Sequence, residues 1–574
     1  MTREFATVGV VGLGTMGAGI VEVFARAGLD VMASEVDAEA LERGRATLTR
    51  SVDRAVSRGR LAPAGKDALL SRVAFTVGLE QMRRAQLVVE AVPERLDLKR
   101  GLVAELDRIC PAGTILASNT SSLSVTEIAV ATGRPRQVVG MHFFNPAPVM
   151  KLVELVRTVV TDPAVEADLA ALCARLGKVA VRVGDRAGFI ANWLLFGYLN
   201  RAAAMVETGY ATREDIDAAM RLGAGLPMGP LALLDLIGLD TSYEILQTMY
   251  HRGGRDRRHA PTPLLRDLVT AGLLGRKSGR GFYTYDRPGS GTVVDDELTP
   301  RPEPPAARPV SRVGVVAASD AAGASDAAGA GDAAGAGDTT ARDAASAADR
   351  IAALFTAGGY DTVRVSGPTD PAWEGLPGAD LVVVAGAPEA GLLAAVGAAA
   401  APGAVVAVAT TRGSGVPPHP VIESAMATGR PGDVVGLHLP GLDPEAPLVE
   451  VVRTVRTAPP ALATARAAVA TAGHTAAVCP DRPGLIVDSL LFPYLNDAVR
   501  MREAGYAGTG DIDAAMRLGC GYPAGPFQQL EAVGLESALA VQRALHRAEP
   551  DPGLAPAPLL EQLVTAGAPV SAAL

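Results

Sequence analysis

Apolar residues in the first third of the chain gather into short, nearly unbroken runs: Val8–Val11, Val31–Ala33, Leu87–Val89, Ile115–Ala117 and Val138–Met141. Runs of this length without polar alternation predict strands buried on both faces, the pattern of a parallel sheet covered by helices. Two more short strands are expected at Lys151–Val156 and Lys178–Val183. Between the second and third runs the period lengthens, and Leu41, Leu48, Val52 and Val56 recur at helical spacing with Arg43, Arg45, Arg50, Arg54 and Arg58 among them. After Gly184 the helical period continues to about residue 286. The second half then repeats this plan.

The repetition is legible in letters. Asp511–Gly519 (DIDAAMRLG) is identical to Asp215–Gly223, Ala427–Pro431 (ATGRP) to Ala131–Pro135, and Val313–Val316 resembles Val8–Val11. With the turn Gly12-x-Gly14-x-x-Gly17 at the end of the first run, the chain reads as an α/β Rossmann-type dinucleotide-binding domain followed by an all-α domain, the pair duplicated with the second copy degenerate. The expected boundaries are 1–184 and 185–286 for the first pair, 287–311 for a proline-rich, semi-extended linker, then 312–480 and 481–574. Within 312–480, residues 317–347 carry the hexapeptide repeat SDAAGA-SDAAGA-GDAAGA (Ser319–Ala336), read as a mobile low-complexity insert.

Where the first run ends stands Gly12-x-Gly14-x-x-Gly17, followed by an Ala/Gly-rich helical segment and a second strand that stops at Glu35. Gly12 permits the tight turn, Gly14 lets a pyrophosphate approach the backbone, and Gly17 brings helix and strand together. Glu35 at the second strand end would bond the adenine-ribose hydroxyls. A carboxylate there opposes a 2′-phosphate, so NAD is expected over NADP. The alternative for Glu35 is a cap on the following helix. In the second copy Ala317, Ser319 and Ala322 stand where the glycines should be.

Composition narrows the classes. With 53 basic against 62 acidic residues and a net charge of −9, no basic excess suits nucleic acid or an anionic membrane. The four cysteines and seven histidines show no metal-ligand spacing, so no metal is expected. The one long uncharged run, Gly391–Thr411, is broken by Pro402 and unlike a membrane span. A reducing cytoplasm fits best.

The candidate chemistry lies at strand ends, where open α/β sheets bind ligands. His142 ends the run before Phe143-Phe144-Asn145-Pro146, and Glu154 falls in the next short strand, so imidazole and carboxylate can meet across neighbouring strands. Such a pair costs stability among apolar strands unless it is used or satisfied. A histidine, titrating near neutrality, suits removal of a secondary alcohol's proton while hydride leaves the same carbon. The arginine-rich helix reads either as a solvated face or as a place where Ser51, Arg54 or Arg58 meets the phosphates of a long substrate.

Eight blocks appear in order: Gly12–Gly17, Glu90–Glu94 (EAVPE), Ser118–Ser122 (SNTSS), His142–Pro146 (HFFNP), Lys151–Glu154 (KLVE), Gly188–Asn192 (GFIAN), Leu222–Pro230 and Lys277–Tyr283 (KSGRGFY). Together they make residues 5–286 closely resemble the L-3-hydroxyacyl-CoA dehydrogenase family, including its bacterial 3-hydroxybutyryl-CoA members. The resemblance implies an NAD-dependent interconversion of 3-hydroxyacyl-CoA and 3-oxoacyl-CoA, with His142 as base, Glu154 as orienting acid and Ser121 and Asn192 as substrate-binding pair. It implies that Glu94, Lys99, Asn145 and Lys277 line the nicotinamide cofactor. The partners expected are an acyl-CoA substrate and a homodimer, or an intrachain pseudo-dimer of the two helical copies. A relative acting on a free hydroxy acid or sugar acid is the nearest enzymatic alternative. For the second half the alternative is a non-catalytic scaffold, because His438 and Glu450 persist while Asn192 is replaced by Asp488, SNTSS by Thr410–Ser414 and HFFNP by His438–Leu442.

Overall fold

In a computed structural model of the protein, residues 3–300, 307–318, 336–411, 420–440 and 446–570 are described. Among them the chain divides into two bodies. The first comprises Met1–Phe196, Glu244–Ala260 and Arg500–Gln528; the second comprises Gly197–Tyr243, Pro261–Val499 and Gln529–Leu574.

The first body is built on eight strands: β1 (Thr7–Val11), β2 (Asp30–Glu35), β3 (Val73–Val77), β4 (Leu87–Glu90), β5 (Ile115–Ser118), β6 (Val138–Phe143), β7 (Leu152–Arg157) and β8 (Val179–Gly184). Their order is β3-β2-β1-β4-β5-β6-β7-β8, all parallel except that β7 runs antiparallel to β6. The first six follow the doubly wound order, with the reversal of direction between β1 and β4. The apolar runs are buried on both faces, as their lack of alternation predicts. Val8, Val10, Val31 and Val89 meet Ile20, Phe24 and Leu48 of the helices Thr15–Arg26 and Ala38–Ser57 on one side. Val88 and Leu116 meet Val103 and Leu106 of the helix Leu96–Ile109 on the other. The helix Thr509–Gly519, from the second half of the sequence, also belongs to this body and packs on β7 and β8.

The second body holds a hairpin, β9 (Thr284–Tyr285) with β10 (Val293–Val294), and a seven-stranded sheet: β11 (Arg312–Ala317), β12 (Asp361–Val365), β13 (Leu381–Ala385), β14 (Val405–Thr411), β15 (Val434–Leu439), β16 (Leu448–Arg453) and β17 (Thr475–Pro480). The order β12-β11-β13-β14-β15-β16-β17, with β16 antiparallel to β15, repeats the first sheet. Among the described residues it has no counterpart of the edge strand β3.

Two stretches differ from expectation. Part of the linker is folded, because β10 pairs with β9 and Asp296, half-buried, holds the guanidinium of Arg213 at 2.6 Å and 3.0 Å. The low-complexity reading, 317–347, is too broad: Ala317 ends β11, and Ala347 lies buried in the helix Ala336–Ala357. The repeat itself up to residue 335, with Ser319 and Ala322, lies outside the described residues, as do residues 412–414 and 441–442 of the two altered motif blocks.

Candidate active site

The glycine turn joins β1 to its helix. Gly12 has φ +87°, where a Cβ would sit 2.9 Å from the Ala91 carbonyl; at Gly17 it would sit 1.7 Å from the Gly12 carbonyl. Neither position admits a side chain. Gly14 instead faces open space at the N-terminus of the helix Thr15–Arg26, with no side chain capping that end. Bare backbone before a helix N-terminus is what receives a pyrophosphate. Glu35, at the end of β2, accepts from the Leu13 N–H at 2.6 Å and so is fixed beside this turn. The alternative role is taken by Asp37, which caps the next helix through the Ala40 N–H at 2.7 Å. The residues present fit a dinucleotide.

The loop after β4 organises the loop after β5. Glu94 Oε1 accepts from Thr120 Oγ1 (2.6 Å), Ser121 N (2.9 Å), Ser121 Oγ (3.4 Å), Ser122 N (3.1 Å) and Ser122 Oγ (3.2 Å). Burial alone would raise the Glu94 pKa, but the Lys99 charge and these bonds outweigh it and hold the carboxyl below its ordinary value. Lys99 is wholly buried, its Nζ 2.9 Å from both oxygens of Glu90 and 3.4 Å from Glu94 Oε2. Its ammonium thus points inward, and what it sets in place is Glu94. Asn119 ties the same loop to β6 by accepting from the Phe143 N–H at 2.8 Å. Ser121 is thereby carried to the end of the histidine strand.

His142 and Glu154 are direct cross-strand partners in the antiparallel pair β6–β7. Nδ1 lies 2.7 Å from Glu154 Oε2, and the other carboxylate oxygen accepts from Ile190 N at 3.1 Å and Ala191 N at 3.0 Å. Glu154 is completely buried and His142 7% exposed. The imidazole lies among the rings of Phe144 and Phe189, with centroids 4.6 Å and 5.7 Å away. With Nδ1–H given to the carboxylate, Nε2 is left with its lone pair. Asn192 follows the two amides in the first turn of the helix Ala191–Glu207, and Asn145 is exposed on the turn after β6. Lys277 belongs to the second body, where its Nζ is 2.6 Å from Asp240 Oδ2.

A cavity of about 150 Å³ is lined by Glu22, Arg26, Ser51, Arg54, Arg58 and Pro146. Arg43, Arg45, Arg50, Arg54 and Arg58 are all exposed, and Arg54 and Arg58 border a recess against the turn that follows His142. The Ser51 hydroxyl donates to buried Glu22 at 2.6 Å, and Arg26 neutralises that carboxylate at 2.6 Å.

Several contributors were not singled out from sequence. Glu22, a lone acid in an Ala/Gly-rich helix, carried a visible signal, as did Glu90 at the end of an apolar strand. Asp185, whose carboxylate accepts from Val125 N and Thr126 N, did not. Nor did Lys178, whose Nζ bonds the carbonyls of Ala147 and Met150 at 2.6 Å and fastens the turn after β6.

A family model described as 3-hydroxyacyl-CoA dehydrogenase, NAD binding domain, matches residues 7–186, and one for the C-terminal domain matches twice, at 188–285 and 484–572. A 3-hydroxybutyryl-CoA dehydrogenase of Mycobacterium tuberculosis is 47% identical over 287 residues, 50% of this chain and 100% of that protein. The chain belongs to the 3-hydroxyacyl-CoA dehydrogenase family. It is an NAD-dependent oxidoreductase of that type. A 3-hydroxyadipyl-CoA dehydrogenase of Escherichia coli is 41% identical over 285 residues, 50% of this chain and 60% of that protein. The crystal structure of 3-hydroxybutyryl-CoA dehydrogenase from Escherichia coli K12 aligns along both halves, with a TM-score of 0.73 at 28% identity, over 98% of this chain and 100% of that one. Among the described residues no helix is long and apolar enough to cross a membrane, and no group of three or more His, Cys, Asp or Glu is arranged to hold a metal ion.

In the second body Glu450 repeats the scaffold of Glu154, accepting from Ile486 N at 2.9 Å and Val487 N at 3.0 Å. The histidine is placed differently. His438 Nδ1 is 2.8 Å from Thr410 Oγ1, where the same atom of His142 meets a carboxylate. A cavity of about 590 Å³ lies there, lined by Thr410, His438, Asp481, Arg482, Leu485 and Arg547.

Proposed function

We propose that the first half interconverts a short-chain L-3-hydroxyacyl-CoA and the 3-oxoacyl-CoA, and that the second half performs no such chemistry. The observation that carries this is the buried Glu154–His142 pair, which leaves Nε2 as the acceptor for a proton at the end of β6. In the oxidative direction His142 Nε2 takes the 3-hydroxyl proton, and Glu154 stabilises the imidazolium so formed. NAD, when bound, supplies the acceptor for the hydride that leaves the same carbon. Ser121 and Asn192 hold the 3-oxygen or the thioester carbonyl, and Gly12, Gly14, Gly17, Glu35 and Glu94 shape the dinucleotide side. Asn145 lies on the nicotinamide side in this reading. Arg54 and Arg58, in the recess beside Pro146, suit the phosphates of CoA.

The second body lends this reading support by what it lacks. The sequence has no glycine turn after β11, and buried Asp488 stands where Asn192 does in the first half. We also read the two helical copies as an intrachain pseudo-dimer, since each body takes a helical segment from the other half of the sequence. Four free thiols suit a reducing cytoplasm. The test is NADH oxidation with acetoacetyl-CoA against free acetoacetate. Turnover of the thioester is expected, and faster turnover of the free acid would overturn the substrate assignment.

A further inference from the structure

We propose that Tyr506 and the helix Thr509–Gly519, encoded in the second half, are positioning elements of the first half's catalytic pair. They brace the turn Gly184–Phe189, which presents the Ile190 and Ala191 amides to Glu154. The inference rests on the reading that Glu154 and His142 act together.

Tyr506 is 7% exposed and lies against that turn. A Cβ on Gly184 would stand 3.2 Å and 3.3 Å from its ring carbons. The Arg186 guanidinium is 5.0 Å from the ring centroid, and the phenol donates to the Arg186 carbonyl at 3.5 Å. The same carbonyl accepts from Phe189 N at 3.1 Å, so the tyrosine holds the first residue of the turn that ends at Phe189. That turn needs holding. Gly188 has φ +85° and Phe189 φ +47°, and a phenylalanine in the left-handed region persists only where its surroundings over-determine it.

The helix that follows grips the strands themselves. Its first turn lies beside β8, where burial raises the Asp511 pKa and the nearby Arg182 opposes that rise. Gly519 lets the helix close on β7, since a Cβ there would lie 2.8 Å from Leu152 Cδ2 and 3.1 Å from the Phe144 ring, the ring that flanks His142. Cys520, the next residue, has its thiol pushed up to about 12 by burial and then by the Glu154 charge. Residues of the second half therefore lie within electrostatic reach of Glu154 and brace the turn whose Ile190 and Ala191 amides hold its Oε1.

This accounts for what the degenerate copy has kept. Its phosphate turn is gone, yet Asp511–Gly519 is unchanged from Asp215–Gly223, and that block touches the first half's site. The second body contains the mirror arrangement: Tyr210 lies under Arg482 at 5.4 Å, and Gly223 fits against Leu448 and Val487. The mirror residues provide the control.

The experiment compares full-length Tyr506→Ala, Tyr506→Phe and Tyr210→Ala for kcat, for KM of NADH and acetoacetyl-CoA, and for Tm. Tyr506→Ala is expected to lose roughly tenfold to a hundredfold in kcat with KM for NADH unchanged, the size of effect a misplaced catalytic group produces. Tyr506→Phe keeps the ring and is expected within about threefold of wild type. Tyr210→Ala is expected to keep kcat even where its Tm falls as far. Gly519→Ala against Gly223→Ala repeats the comparison with smaller changes, should Tyr506→Ala fail to fold. A wild-type kcat in both Tyr506→Ala and Gly519→Ala, or equal losses in the mirror variants, would overturn the proposal. Wild-type turnover in His142→Ala would overturn the underlying reading instead.

Discussion

Replacing Glu154 by glutamine changes one atom of a carboxylate that makes three bonds, at 2.7 Å, 3.1 Å and 3.0 Å. If the amide oxygen keeps the Ile190 and Ala191 N–H groups, the NH2 group faces His142 Nδ1. Two donors cannot share that contact, so the imidazole must move its proton to Nε2 and present Nδ1 as the acceptor. Nε2 then cannot take a proton from the substrate. The flipped amide is worse, because it sets NH2 against two backbone donors inside a completely buried site. Loss of the correct tautomer costs about 10⁴-fold in hydrolytic triads, and loss of a general base about 10²–10⁴-fold, so Glu154→Gln is expected to lower kcat by roughly 10²–10⁴. At 1.36 kcal/mol per tenfold this is about 3–5 kcal/mol of transition-state stabilisation. Steady-state NADH oxidation with acetoacetyl-CoA measures it, with KM for NADH as the control. A Glu154→Gln enzyme within about threefold of wild-type kcat would refute the tautomer argument.

Glu35→Ser removes the carboxylate that opposes a 2′-phosphate, so the preference for NADH over NADPH, expected to be at least about tenfold in kcat/KM, should narrow; an unchanged ratio would mean that Glu35 serves only the Leu13 amide. Arg54→Ala with Arg58→Ala is expected to raise KM for acetoacetyl-CoA severalfold and to weaken its salt dependence, leaving kcat nearly unchanged; a KM within error of wild type would remove the recess from the substrate path. His259 predicts a pH effect on stability. It is 1% exposed with Nε2 3.0 Å from the Trp193 carbonyl, and burial lowers its pKa from 6.5 to about 4. Between those values the unfolded chain binds a proton that the folded one refuses, so the contribution is complete above pH 6.5 and lost on acidification toward pH 4, by up to roughly 3 kcal/mol. The destabilisation of His259→Gln, read from Tm, should shrink between about pH 7 and about pH 4.5, and a constant difference would contradict the linkage.

Much of the first body was legible because its physics is local. Short, valine-rich apolar runs without alternation, bounded by turn residues, read as strands covered on both faces, and the glycine spacing encodes contacts that a Cβ would break. The His142–Glu154 pair was legible as two polar residues in adjacent apolar strands; the antiparallel register then made them face each other. What sequence did not disclose was long-range partnership. Asp215–Gly223 and Asp511–Gly519 are the same letters, so nothing in them tells which sheet each helix covers. The hub at Glu94 was hidden because its five bonds come from one loop of small polar residues, a composition that any surface loop shares. The folded part of the linker escaped because Asp296 owes its place to Arg213, far away in the chain.

The central claim is that one half does the chemistry, through one histidine. Full-length His142→Ala and His438→Ala, each assayed for acetoacetyl-CoA reduction and titrated with NADH by calorimetry, test it most directly. His142→Ala should lose about 10²–10⁴-fold in kcat with NADH affinity nearly intact, while His438→Ala keeps the wild-type rate. More than half of the wild-type turnover in His142→Ala, or a comparable loss in His438→Ala, would contradict the account.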